Sequence, residues 1–233
     1  ALGFAPQVFS AVLIANADLN GDGIKEQIYN TGSTITVKNR QGATEKIYYV
    51  GGTWAMVGIA DVDGNPGAEV IARTYGDLVV ITHRQRQVYP YPVSVLSGLW
   101  TVATIDQFDG AAGNEVAIAD ALISAGRSSY IFIHHKTRTI RQHHFAAAGN
   151  FGALAFNDFD GIAGKEVAMS TGALHHVAIL HPRTLVPHYY YVGVIQQLIS
   201  VSNLDGVAGN ELRVMSNTGV IFTINDRKRT VTF

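Results

Sequence analysis

The sequence predicts an all-β chain: a five-bladed β-propeller with four antiparallel strands per blade, forming one domain over 1–233. Three observations predict it. A nine-residue acidic loop ending in glutamate recurs five times without a gap: DLNGDGIKE from Asp18, DVDGNPGAE from Asp61, QFDGAAGNE from Gln107, DFDGIAGKE from Asp158 and NLDGVAGNE from Asn203. The loop starts lie 43, 46, 51 and 45 residues apart, so five units account for nearly all of the 233 residues. Each unit holds four short runs rich in Val, Ile, Tyr and Thr, with no long helical periodicity. A period of about 40 to 50 residues with four strands per unit is the signature of a propeller blade.

The elements follow in chain order. In the first unit the apolar run Val8 to Ala17 leads into the loop as a strand; it is too short to span a bilayer and has no basic flank before it. The second unit shows the pattern most clearly, as WAMVGIADV, EVIART, DLVVITH and RQVYPYPV, with turns at Tyr75-Gly76 and Arg84-Gln85. The third carries an apparent insertion, Asp120 to Ser129, expected as a loop between its second and third strands. The fourth repeats the runs as EVAMST, HHVAILH and VPHYYYV. The fifth ends on RTVTF as its own fourth strand, which leaves residues 1 to 10 to cover the seam between blades 5 and 1.

Composition narrows the function. Lys and Arg number 17 against 18 Asp and Glu, a net charge of −1, so no global field draws in nucleic acid or an anionic membrane. Cysteine is absent, which removes disulfides, thiolate metal sites and cysteine nucleophiles. The loops take 13 of the 18 acidic residues; Glu45, Asp77, Asp106, Asp120 and Asp226 remain, scattered over different turns and strands. Paired carboxylates of the glycosidase kind are therefore not expected. A GxSxG elbow and a Gly-rich phosphate loop are also missing, and no catalytic residue is assigned. The nine histidines include the pairs His134-His135, His143-His144 and His175-His176. Neighbours on a strand point to opposite faces, so a metal site would need partners from different strands; partly exposed strand or turn histidines are the expectation.

The loops themselves permit metal chemistry. In the first copy Asp18, Asn20, Asp22 and Glu26 occupy positions 1, 3, 5 and 9, with the Ile24 carbonyl at position 7. Alternating oxygens in a glycine-permitted tight loop suit a hard cation such as Ca²⁺. The second copy keeps Asp61, Asp63, Asn65 and Glu69, with Gly67 at position 7. In the later copies position 5 becomes Ala111, Ile162 and Val207, which offer no side-chain ligand. There the expected device is an Asx-type turn, with Asp109, Asp160 and Asp205 accepting backbone N–H groups. Basic turns between the third and fourth strands, at Arg40, Arg84, Lys136, Arg183 and Arg227, fall on the same face and would neutralise the acidic ring.

The Asp18 to Glu26 loop followed by QIYN resembles the calcium loop of FG-GAP repeats in integrin α-subunit propellers. The later DxDGxxGxE copies resemble bacterial VCBS/FG-GAP-like repeats. The resemblance implies calcium between the first and second strands and a secreted or cell-surface role in adhesion, in recognition, or as an accessory domain of a polysaccharide-active enzyme.

On the opposite face Trp54, Trp100 and Phe151 each stand seven residues before a loop start, with Tyr75 among their polar neighbours. Such rings could stack on a sugar or anchor a protein, or could serve inter-blade packing. The expectation is a non-catalytic, lectin-like carbohydrate-binding module. A protein-adhesion or scaffold propeller is the alternative, since the blade-connecting loops GGTW, SGLW, GNFG and VIQQ are dissimilar.

Overall fold

The computed structural model describes residues 11–93, 100–122, 127–145, 152–171 and 175–233. It is all-β, with five sheets of four strands, and it is the five-bladed propeller expected from the repeat. No helix in the described residues is long and apolar enough to cross a membrane. The chain divides into two compact units, Ala1–Gly98 with blades 1 and 2 and Leu99–Phe233 with blades 3 to 5.

Blade 1 is β1 (Val12–Ala17), β2 (Glu26–Asn30), β3 (Thr34–Lys38) and β4 (Thr44–Tyr49). Blade 2 is β5 (Ala55–Ala60), β6 (Glu69–Arg73), β7 (Asp77–Thr82) and β8 (Gln87–Pro92). Blade 3 is β9 (Trp100–Asp106), β10 (Glu115–Leu122), β11 (Arg127–His134) and β12 (Thr139–Phe145). Blade 4 is β13 (Gly152–Asn157), β14 (Glu166–Ser170), β15 (His176–His181) and β16 (Val186–Tyr191). Blade 5 is β17 (Ile195–Ser202), β18 (Glu211–Ser216), β19 (Ile221–Asn225) and β20 (Thr230–Thr232). Every sheet runs in sequence order and every pair is antiparallel. Blade 5 therefore completes itself with β20; residues 1 to 10 lie outside the described residues.

The Asp120 to Ser129 segment is corrected. Most of it is strand, because Asp120, Ala121 and Leu122 pair with Ser129, Ser128 and Arg127. The extra residues lengthen the β10–β11 ladder, which satisfies backbone groups that a loop would leave to water.

The two middle strands of each blade are the apolar heart of the fold. β6 and β7 read EVIAR and DLVVIT and are buried along almost their whole length, the mark of strands covered on both faces. In the first unit Ile28, Ile35 and Val37 of blade 1 pack with Val70, Val79 and Ile81 of blade 2. In the second, Phe108, Phe132 and Ala117 of blade 3 meet Val167, Met169 and Leu180 of blade 4. Val177 and Ile179 continue to Leu212, Val214 and Ile224 of blade 5. Each such side chain contributes about 1.5–3 kcal/mol by leaving water. The first strand of every blade carries a register shift, as at Leu13/Ala15 and Met56/Gly58, a bulge that adds local twist.

Candidate functional site

In each blade the acidic loop joins the first strand to the second. Its closing glutamate does the same structural work five times, accepting the N–H of loop position 2: Leu19 to Glu26 at 2.8 Å, Val62 to Glu69 at 2.9 Å, Phe108 to Glu115 at 2.7 Å, Phe159 to Glu166 at 2.7 Å and Leu204 to Glu211 at 2.7 Å. That bond anchors a buried apolar residue at position 2 in four of the five copies and leaves one carboxylate oxygen for other use. Within each unit, successive loops also mate. The N–H at position 8 of one loop donates to the position 1 carbonyl of the loop before it: Ala68 to Asp18 at 2.9 Å, Lys165 to Gln107 at 3.0 Å and Asn210 to Asp158 at 2.8 Å. Glycine at position 7 is the consequence. A Cβ on Gly164 (φ +121°) would stand 2.6 Å from the Phe108 carbonyl oxygen, and one on Gly67 (φ +105°) 2.9 Å from that of Leu19.

Blades differ in what faces the glutamate across the second and third strands. Register places Asn39, Thr82, His134, His181 and Asn225 at this position. His134 Nδ1 lies 3.4 Å from Asp109 and 3.7 Å from Glu115. His181 Nδ1 lies 3.4 Å from Asp160 and 3.9 Å from Glu166. Asn225 donates to Glu211 at 2.7 Å and Asp205 at 3.2 Å, where Lys228 Nζ joins at 2.5 Å. In blades 3 to 5 a protein donor thus fills the place a cation would take. In blade 1 the Asn39 side chain accepts the N–H of Ala43 in its own turn. In blade 2 the buried Thr82 hydroxyl makes no hydrogen bond.

The two loops with no donor from that register position are also shaped differently, with Asn20 donating within the blade 1 loop and Gln85 reaching Asp63 at 3.5 Å in blade 2. In blade 1, Asp18 accepts the N–H groups of Gly21 at 2.7 Å and Gly23 at 2.8 Å. Asn20 accepts from Asp22, Asp22 accepts from Ile24, and the Asn20 amide reaches Asp22 at 3.1 Å and Glu26 at 3.4 Å. In blade 2, Asp61, Asp63 and Glu69 gather one oxygen each within 4.8 Å of one another. Asp61 accepts from Gly64 and Asp63 from Asn65, and Gly67 packs on the preceding loop. Burial pushes the Glu69 carboxyl up to about 7, the Val62 N–H opposing it and the Asp63 and Asp61 charges adding to it.

Four of the five basic turns reach the acidic loops. Arg84, Lys136 and Arg227 reach the position 6 carbonyls of Pro66, Ala112 and Ala208 at 3.4, 3.5 and 3.1 Å. Arg183 approaches Asp160 at 3.8 Å.

The expectation of partial exposure holds for His143, His144, His175, His176 and His188, and is corrected for His83, His134, His135 and His181, which are buried. At the blade 1–2 seam Tyr48 Oη is 2.7 Å from His83 Nδ1, and His83 Nε2 is 2.9 Å from Glu45. The blade 4–5 seam keeps the tyrosine, Tyr190, but places Asp226 opposite it, with His181 and His188 against the carboxylate. Burial would lower the imidazolium of His181, but the adjacent Asp226 carboxylate outweighs it and raises the pKa. Asp226 is lowered: burial acts against ionisation, and His181, Tyr190 and His188 overcome it. Sequence reasoning passed over Asp226 because its partners lie 38 and 45 positions away, in another blade. The only local signal was its alignment with His83 and His135.

At the opposite end of the blades, Trp100 is 0% exposed, which makes it a core residue and removes its ring as a stacking surface. Phe151 lies outside the described residues. Trp54 is 9% exposed, its indole N–H donating to the Gly32 carbonyl at 2.7 Å. Tyr75, in the β6–β7 turn, is 88% exposed. Trp54 and Tyr75 border adjoining clefts of about 660, 440 and 260 Å³, whose other walls include Thr53, Thr74, Arg73 and Asp77.

No known family model and no curated protein sequence matches the chain. Among solved structures it is similar to a lectin from Agrocybe aegerita described for specific recognition of non-reducing terminal N-acetylglucosamine. The identity is 12% and the TM-score 0.51, over 97% of this chain and 65% of the lectin. It also matches the WD40 domain of SCAP from fission yeast at 11% identity and TM-score 0.46, over 98% of this chain and 56% of that one. An extracellular domain of a one-component system from B. thetaiotaomicron matches at 11% identity and TM-score 0.43, over 98% of this chain and 28% of that one. The chain thus spans 65% of the lectin's length, and at this identity the likeness speaks for the fold, a propeller of repeated four-stranded blades.

Proposed function

We propose that the protein is a non-catalytic recognition propeller of the FG-GAP/VCBS kind that binds carbohydrate at the Trp54–Tyr75 end of blades 1 and 2. One observation carries this reading: a tyrosine ring 88% exposed stands beside a tryptophan pinned by its own indole N–H, in clefts walled by hydroxyl, guanidinium and carboxylate groups. A flat apolar ring with polar neighbours suits a sugar, which offers an apolar C–H face and a rim of hydroxyls. The fold likeness to an N-acetylglucosamine-recognising lectin supports the class of ligand. A glycan array with the wild type and Tyr75→Ala tests it. Saturable binding that the variant loses is the expected result; binding that Tyr75→Ala retains moves the site elsewhere.

Calcium belongs to the same proposal, at the acidic loops of blades 2 and 1. The three converging carboxylates of blade 2 and the undonated Thr82 hydroxyl beside them fit a hard, oxygen-ligated ion. There Asp61, Asp63 and Glu69 would hold it, and in blade 1 Asp18, Asn20, Asp22, Glu26 and the Ile24 carbonyl. An ion of this kind neutralises buried carboxylates and stiffens the loops. The millimolar calcium that weak loops need is extracellular, which goes with a secreted or cell-surface protein.

A protein partner is the second reading. The outer strands favour it, because β4 exposes Ile47 and Tyr49 and β16 exposes Val186, Tyr189 and Tyr191. Glycan binding independent of these residues would decide against it.

A further inference from the structure

We propose that His181, His188 and Asp226 form a site for a zinc-class divalent transition-metal ion, set in the cleft at the seam of blades 4 and 5. His181 ends β15. His188 lies on the paired strand β16, two residues beyond Val186, the cross-strand partner of His181, so both rings project to one face of the hairpin. Asp226 opens the β19–β20 turn of the next blade. Ligand atoms of all three residues meet there. His181 Nε2 is 2.9 Å from His188 Nδ1 and 2.9 Å from Asp226 Oδ2, and His188 Nδ1 is 2.8 Å from Asp226 Oδ1.

With His181 neutral, protons do not satisfy this cluster. The other nitrogen of His181 faces the carboxylates of Asp160 and Glu166, which places the N–H of the neutral ring on Nδ1 and a lone pair on Nε2. His188 has one N–H on the facing nitrogen to give, to Asp226 or to His181. Asp226 is 1% exposed, and its Oδ2 makes no hydrogen bond although Nε2 is 2.9 Å away. A buried acceptor aimed at another lone pair is costly, and either a second proton on His181, which the Asp226 carboxylate favours, or a metal ion between the two atoms relieves it.

A divalent ion resolves the arrangement. The two nitrogens stand 2.9 Å apart and each lies 2.8–2.9 Å from its own Asp226 oxygen, so an ion about 2.0 Å from both nitrogens, the bond length of zinc to imidazole, is within reach of the carboxylate. Ideal tetrahedral coordination spaces its ligands about 3.3 Å apart, so the two imidazole nitrogens part by a few tenths of an ångström on binding. Two nitrogens and one oxygen select a borderline transition metal over calcium, which takes six to eight oxygens. The surroundings match as well. Asp160 on His181 Nδ1 is the carboxylate–histidine pairing that fixes a ligand's tautomer, and the Tyr190 hydroxyl donates to Asp226. A cleft of about 620 Å³, lined by Thr184, Arg227 and Arg229, opens on the ligands and leaves the fourth position for water or a small anion. The blade 1–2 seam is the control within the same molecule: Tyr48 and Glu45 occupy both nitrogens of His83, and no lone pair is left over.

The experiment uses the full chain, stripped with chelator and titrated with Zn²⁺ and separately with Co²⁺ in excess Ca²⁺. Expected are one tight equivalent of Zn²⁺, a tetrahedral visible spectrum for Co²⁺ and a melting temperature raised by Zn²⁺. His188→Ala should lose the equivalent and the spectrum. His188→Gln, which keeps a polar side chain of similar reach, should melt like wild type without metal and gain nothing from Zn²⁺. Asp160→Asn should weaken Zn²⁺ binding about 10- to 100-fold. No tight equivalent in the wild type, or one that His188→Ala and His188→Gln both retain, overturns the proposal.

Discussion

The acidic loops of blades 2 and 4 share nine positions, the same glutamate anchor and the same mating to the loop before them, yet they handle negative charge in opposite ways. In blade 4 His181 faces the carboxylates of Asp160 and Glu166. In blade 2 Thr82 stands at that register position and donates nothing, while Asp61, Asp63 and Glu69 converge. One residue on a neighbouring strand therefore separates a loop with a side-chain nitrogen facing its carboxylates from a loop where that register position offers none. The loop sequence alone does not set which kind it is.

The scaffold common to both loops should show first and most strongly. Gly67→Ala and Gly164→Ala each force a Cβ against a preceding carbonyl at positive φ, and each should cost about 2–3 kcal/mol in urea unfolding. Markedly unequal costs would show that the two loops do not share one mating geometry. A smaller effect separates them. Calcium should raise the melting temperature by a few degrees, about 1–2 kcal/mol of linkage. Asp63→Ala should reduce that rise and Asp160→Ala should leave it intact, as differential scanning fluorimetry would read. Thr82→His supplies blade 2 with the donor of blade 4 and should remove one bound calcium by equilibrium dialysis; unchanged stoichiometry would break the comparison.

The smallest effect is in pH. Burial holds Glu69 and Glu166 up to about 7, against an ordinary value of 4.5. A raised carboxyl favours the folded state most when protonated, so this stability is present below about 4.5 and is lost as pH rises toward 7. His181, also raised, loses its contribution in the same direction, as pH climbs through its folded value. Melting temperature in chelator should therefore fall across that window. Calcium should flatten the share that Glu69→Gln removes and leave the share of blade 4.

Much of this was legible in the residues. The nine-residue copies and the four apolar runs between them are enough for strand count, blade count and loop position, because period-2 patterning and Asp-Gly turns are local. The loss of position 5 in the last three loops pointed to turns without an ion, and those loops are the ones with a donor across the strands. The donor itself was not legible. It depends on register between strands and, for Asp226, on a neighbouring blade. Trp100 misled for a related reason: its place before the loop puts it at a blade entrance, but only packing decides whether a ring there faces water or core. Alternation forbids adjacent histidines from chelating together, but only the β15–β16 register shows that His181 and His188 share a face across a hairpin.

The mating of successive loops also explains where the chain tolerates change in length. The steps between loops range from 43 to 51 residues, while the loop stays at nine in every copy. A residue added within the nine would shift position 8 away from the carbonyl that precedes it and position 4 away from the loop that follows. In blade 4, whose loop is joined to the one before and the one after, a single insertion would damage two joints. Changes in length fall in the strands, in the β3–β4 turn and at the opposite end of the blades, so that end is free to diversify while the nine-residue loops keep the copies in step.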